Sequence, residues 1–198
     1  AATEDAIEAS VVHMADVKQY PDGSVRRTDI WHDEETGIAR FLHHDEQGDP
    51  WLEAGPLTAP TLADPTWTGQ RVIIHCSRGY VDHADTGGAT TEVTAGVTDI
   101  RDLLADGTVV EDGTEVFDGR ELIRLQGDEM VLLADPDTFR VVAQRGTMST
   151  GETFTSTFEY IPRSDASLGS LVPTVPAGYT EHPAGDADST CLDLPSTP

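Results

Sequence analysis

Residues 107–160 read GTVVEDGTEVFDGRELIRLQGDEMVLLADPDTFRVVAQRGTMSTGETFTSTFEY, a run of short apolar-alternating segments separated by Asp-Gly and Asp-Pro at nearly regular spacing. Strand-length alternation bounded by such dipeptides is the pattern of an antiparallel β-meander. It predicts strands at 108–116, 120–126, 130–134, 138–144 and 152–160, with turns at Asp118-Gly119, Gly127-Asp128, Asp135-Pro136-Asp137 and 146–151. In the last of these strands Phe154, Ser156, Phe158 and Tyr160 fall on one face, and Thr153, Thr155, Thr157 and Glu159 on the other, so one side of the sheet is wet.

Working towards the N-terminus, residues 99–105 form the one convincing helix, capped by Thr98 or Asp99 with Asp102 in a capping-box position and stopped by Asp106-Gly107. Two strands precede it, 71–76 and 80–84, the first with Val72, Ile74 and Cys76 on one face, and Gly87-Gly88 ends that hairpin. Residues 48–68 hold four prolines among Trp51, Leu52, Leu57, Leu62 and Trp67 and read as an ordered loop. A further hairpin joins 25–33 to 38–46 through Glu34-Glu35-Thr36-Gly37; pairing Asp33 with Ile38 sets Trp31 opposite Arg40 and Ile30 opposite Phe41. Residues 11–20 are a first strand ended by Pro21-Asp22-Gly23, 165–171 a short helix, and the acidic, proline-rich stretch from Pro173 reads as extended and partly mobile. The fold class is mainly β (α+β), an antiparallel sheet with one or two short helices. The expected organisation is a single domain over 1–182 and an acidic tail over 183–198.

The chain has 198 residues and a formal net charge of −24, from 36 carboxylates against 12 cations of which Lys18 is the only lysine. A polyanion repels phosphate, which disfavours nucleic acid and anionic membrane surfaces as partners. No apolar run reaches the roughly 18 residues of a membrane span, so any membrane association is expected through an upstream tether. The abrupt polar start Ala1-Ala2-Thr3-Glu4-Asp5 suits a chain cut after a signal or an anchor. Cys76 and Cys191 allow one bridge, a hint of an oxidising compartment, which would close a loop of over 100 residues and stabilise by about 4–5 kcal/mol. The alternative is two unrelated thiols, with Cys76 a small buried hydrophobe.

Seven histidines invite a metal reading. In the hairpin register, however, His32 and His43 share a face about four residues apart, roughly 13 Å, while His44 points to the other side, too far for shared ligation. His75 beside Cys76 is no dyad, because neighbouring strand residues face opposite ways. Asp135-Pro136-Asp137 and the Asp-Gly pairs at 22, 106, 112 and 118 are turn chemistry. A nucleophile elbow, a phosphate loop and a dinucleotide fingerprint are all missing, so no catalytic residue, metal ligand or cofactor is assigned.

The phrases VVEDGTEVFDGRELIRLQ (109–126), MVLLADPDTFRVVAQRG (130–146) and TFTSTFEYIPR (153–163), with VPAGYTE (175–181) and the hairpin DIWHDEETGIAR (29–40), resemble actinobacterial extracytoplasmic proteins. Those are related in fold to lipoprotein carriers of the LolA and LppX kind and to the sensor domain of RseB. The resemblance implies a strongly curved antiparallel sheet, a half-open barrel wrapped over a helix, secreted or membrane-anchored, with an apolar inner face for lipid or acyl chains. Its lining would include Val72, Ile74, Ile123, Leu125, Phe154 and Phe158. It implies a non-catalytic role, either binding a hydrophobic ligand or sensing for an envelope regulator whose protein partner docks on a sheet edge or on residues 48–68. The rival readings are a metal-dependent hydrolase using His32, His43, His44, His75 or His83, and a ligand-free structural module.

Overall fold

The computed structural model describes residues 9–84 and 100–183. Its elements in chain order are β1 (Ser10–Gln19), β2 (Val25–Asp33), β3 (Ala39–His44), β4 (Pro50–Pro56), β5 (Gln70–Ile74), β6 (Gly79–His83), α1 (Ile100–Ala105), β7 (Val110–Phe117), β8 (Arg120–Gln126), β9 (Met130–Ala134), β10 (Val141–Thr147), β11 (Thr153–Pro162), α2 (Asp165–Gly169) and β12 (Thr180–Glu181). All the strands join one open, curved sheet in the order β12-β6-β5-β4-β3-β2-β1-β11-β10-β9-β8-β7. Two meanders, β1–β6 and β7–β11, are zipped together by the long antiparallel pairing of β1 with β11. Among the described residues only β12 runs parallel to its neighbour, β6. No helix among the described residues is long and apolar enough to cross a membrane.

Local chemistry explains most of the turns. Asp118 and Gly119 both have positive φ, 48° and 76°, the backbone a two-residue hairpin loop requires. At the β2–β3 turn the Asp33 carboxylate accepts the Thr36 hydroxyl at 2.7 Å, and Trp31 meets Arg40 and Ile30 meets Phe41 as the sequence predicts. Asp135 closes its turn by accepting from the backbone N–H groups of Asp137 and Thr138. Asp112-Gly113 is the exception among the Asp-Gly pairs. It lies inside β7 as a bulge, with Gly113 at φ 87° and the register with β8 shifting between Glu111 and Thr114.

Four expectations are corrected. Residues 50–56, read as loop, are the strand β4, paired to β3 and β5. Pro50 and Pro56 stand at its ends, where a missing N–H disrupts the ladder least. The strand expected at 138–144 runs instead at 141–147, because Phe139 has φ 59° and belongs to the turn. Cys76 is no buried strand residue; β5 ends at Ile74 and Cys76 is exposed in the following turn. The stretch after Pro173 is pinned down as far as His182, whose N–H donates to the Tyr80 carbonyl at 2.8 Å. Arg71 Nη1 donates to the Pro173 carbonyl at 3.4 Å, Tyr179 and His75 share a 3.0 Å hydrogen bond, and Thr180–Glu181 pair with β6. The expected caps of α1 at Thr98 and Asp99, the Gly87-Gly88 turn, Cys191 and the tail from residue 184 fall outside the described residues.

The two helices cover opposite faces of the sheet. Ile100, Leu103 and Leu104 of α1 pack with Val109, Leu125, Leu132, Ala134 and Val141. Leu168 of α2 and Leu171 beyond it pack with Val11, Ile38, Trp31, Trp67 and Ile161 on the other side. The Ser164–Ser167 capping box starts α2, each hydroxyl satisfying the other residue's backbone N–H.

Candidate functional site

Register carries one apolar row unbroken across the face on which α1 lies. Val81 of β6 stands opposite Val72 of β5, then follow Ala54 of β4, Phe41 of β3, Ile30 of β2, Met14 of β1 and Phe158 of β11. Met14 and Val81 are buried, whereas Val72, Ala54, Phe41, Ile30 and Phe158 are half-buried and keep apolar surface accessible. Strand spacing makes this belt about 29 Å long, measured along the sheet.

The neighbouring row on one side is polar at its centre. Thr28 and His43 share a 3.1 Å hydrogen bond, the Ser156 hydroxyl donates to Asp16 at 2.7 Å, and Gln144 Nε2 donates to Ser156 at 3.2 Å. Burial lowers the pKa of His43, with the charges of His44 and Arg26 acting in the same sense. The row on the other side holds Tyr160, Val12, His32 and Ala39. The Tyr160 hydroxyl donates to the Val141 carbonyl at 3.0 Å, and burial pushes its phenol well up. His32 is 8% exposed, its Nδ1 is buried without a hydrogen-bond partner, and burial lowers its pKa against the opposing pull of Glu34 and Asp33.

Alternation puts all six lining residues expected from the sequence on this face, yet the structure does not gather them into one pocket. Val72 and Phe158 lie in the belt, and Ile74 sits one row away, buried opposite Leu52. Ile123 and Leu125 belong to the core beneath α1. Phe154 lies at the far end of β11 and lines a separate cleft of about 570 Å³ with Met130, Gly146 and the polar residues around them. Met14, Ile30, Phe41, Ala54 and Val81 went unread as lining. The Ile30–Phe41 pair was legible from the hairpin, but extending it sideways requires β4.

The histidines are scattered. His32 and His43 share the α1 face four positions apart, and His44 points to the other face. There Asp29 bridges two rings, His13 Nε2 at 2.8 Å and His44 Nε2 at 2.7 Å, while His44 Nδ1 lies 3.1 Å from the Gly48 carbonyl. The His13 ring stacks on Trp31 at 4.6 Å, and the Arg40 guanidinium lies over the same indole. Arg40 Nε donates to the buried Glu53 at 2.7 Å, with His75 Nε2 3.5 Å from the second carboxylate oxygen. His83 stands opposite Gln70 at the end of β6. Among the described residues no three His, Cys, Asp or Glu side chains are arranged to hold a metal. Cys76 is held in a disulfide, and Cys191 is the only other cysteine of the chain.

No family model and no curated protein matches the chain. Solved structures resemble it in outline. An uncharacterized conserved protein from Thermus thermophilus aligns with a TM-score of 0.44 at 10% identity, over 88% of this chain and 91% of that one. A LolA superfamily protein from Nitrosomonas europaea aligns with a TM-score of 0.32 at 9% identity, over 82% and 90%. A putative outer membrane lipoprotein-sorting protein domain from Vibrio parahaemolyticus aligns with a TM-score of 0.26 at 10% identity, over 77% and 85%. Likeness at this level transfers no role.

Proposed function

We propose that the chain is a non-catalytic, extracytoplasmic binding domain, one unit through residue 182, whose α1 face takes a hydrophobic ligand such as an acyl chain or a lipid. The observation that carries this reading is the belt from Val81 to Phe158, in which half-buried Val72, Ala54, Phe41 and Ile30 lie side by side on adjacent strands and half-buried Phe158 follows beyond the buried Met14. A contiguous accessible apolar stripe is where an apolar partner is expected to bind. Each buried methylene contributes about 0.8 kcal/mol, so ten give roughly 8 kcal/mol before the cost of association. Short chains therefore bind poorly, and chains of a dozen carbons or more bind measurably.

The polar side chains beside the belt, Thr28, His43, Asp16, Ser156 and Gln144, hydrogen-bond one another in cross-strand pairs, which fixes the sheet beside the proposed ligand. The disulfide at Cys76, which we assign to Cys191, supports an oxidising compartment.

The test is mass spectrometry of an organic extract from protein purified without detergent, beside native mass spectrometry of the intact chain. A reproducible lipid at near-stoichiometric amount, together with displacement of an apolar fluorescent probe by long-chain but not short-chain amphiphiles, is the expected result. A clean unliganded mass with no probe binding would overturn the reading in favour of a filled structural module.

A further inference from the structure

Along the α1 face the polar side chains next to the belt have partners, with His32 standing apart. Thr28 and His43 bond each other, Asp16, Ser156 and Gln144 form a chain, and Tyr160 is engaged by Val141. His32 follows Ile30 of the belt by two residues on the same strand and the same face, between Val12 and Ala39. Its Nδ1 is buried and has no hydrogen-bond partner, although the side chain is more than nine-tenths buried. A buried polar atom without a partner is costly, and native proteins retain one where something else completes it.

Charge narrows what can do so. Asp33 and Glu34 follow His32 directly but are paired with Arg163 and Arg140, so the local charge is balanced, while the net charge of −24 repels an anionic ligand from the protein as a whole. A cationic group finds the neighbouring carboxylates already held, Asp33 by Arg163 and Glu34 by Arg140, and a neutral imidazole offers one donor and one acceptor. A hydroxyl or an ester carbonyl matches that pair without adding charge.

We propose that the ligand is a neutral lipid whose hydroxyl or ester head group hydrogen-bonds His32 while its acyl chain lies on the belt. This rests on the binding-face reading above and adds the polarity of the ligand and its orientation. His32 is then a specificity residue: it selects the head group and leaves the affinity for the chain to Ile30, Phe41 and their neighbours.

The experiment measures displacement of N-phenyl-1-naphthylamine from the full chain at pH 7.5 by a monoacylglycerol and by the fatty acid of the same chain length. The monoacylglycerol should displace the probe about tenfold better. His32→Phe should bring the two ligands to parity, and His32→Gln, which retains a donor and an acceptor, should recover part of the preference. In the wild type the imidazole nitrogen NMR signal of His32 should move on adding the monoacylglycerol, a readout that needs no variant to fold. Parity of the two ligands in the wild type, an unchanged preference in His32→Phe, or a stationary His32 signal would each overturn the proposal with the binding face intact. Absence of probe binding to the wild type would instead remove the binding face, and this inference with it.

Discussion

Replacing Arg163 by Ala tests whether the β2–β3 turn and the segment between β11 and α2 are locked together by one buried ion pair. Asp33 is fully buried, at 0% exposure, and closes the β2–β3 turn. Arg163, just before the Ser164 cap of α2, donates from Nε to Asp33 Oδ1 at 2.8 Å and from Nη2 to Oδ2 at 3.2 Å. The Thr36 hydroxyl is the remaining strong donor to that carboxylate, at 2.7 Å. Two charged hydrogen bonds at about 1.5–3 kcal/mol each, and the cost of leaving a buried charge without its partner, converge on a loss of about 3–5 kcal/mol. The outer contact of Arg163 Nη1 with the exposed Glu35 adds at most about 1 kcal/mol. Equilibrium unfolding in urea, with the slope checked for constancy, gives the number. Arg163→Lys restores the charge without the fork and should fall between wild type and Ala. Adding Asp33→Asn to Arg163→Ala should recover stability, because the orphaned charge disappears while the Thr36 bond remains. A loss below about 1 kcal/mol for Arg163→Ala, or a further loss on adding Asp33→Asn, would refute the reasoning.

Leu125→Ala removes a side chain with 0% exposure from the core beneath α1 and should cost about 2–5 kcal/mol with loss of helical signal, read by urea unfolding and circular dichroism; a loss under about 1 kcal/mol would mean that α1 is not seated there. The pKa values of His32 and His43 are both lowered from 6.5 by burial, so the unfolded chain takes up protons first. Their contribution is complete above pH 6.5 and is lost as pH falls through the lower folded values, and His32→Gln with His43→Gln should flatten the decline in stability between pH 7.5 and 5.5 relative to wild type. An equal or steeper decline in the double variant would contradict this sign. Thiol titration under denaturing, non-reducing conditions should find no free thiol, and two after reduction, with a lower melting temperature once reduced; two thiols before reduction would remove the disulfide and weaken the case for export.

Much of the sheet was legible because its turns carry their own chemistry. Arg120–Gln126 and Met130–Ala134 begin and end where Asp118-Gly119, Gly127-Asp128 and Asp135 place them, and the β2–β3 register followed from a four-residue loop ending in Gly37. The face assignment of β11 followed from its alternation alone. β4 was missed because four prolines between 48 and 68 read as irregular, although two of them bracket a well-formed strand. That omission hid the belt, since Ala54 is the link between Phe41 and Val72. The polar cluster of His13, Asp29 and His44 was missed for a related reason: it joins three strands across a face, and no spacing within the chain announces it.

The fold class, the meander of residues 107–160, the faces of individual strands and the anion-averse character of the surface could all be read along the chain. These are local properties, since turn residues, two-residue alternation and charge act over a few residues or through simple sums. That β1 zips to β11, that α1 and α2 lie on opposite faces, and that the chain from Leu171 to Glu181 is strapped against β4–β6 emerges only in the folded protein. Only the tertiary structure aligned Val81 through Phe158 into one stripe and left His32 buried at the stripe's edge without a partner. Those outcomes depend on which strands become neighbours and in what register, a choice made by contacts more than 100 residues apart in the chain, such as Asp33 with Arg163 and Met14 with Phe158.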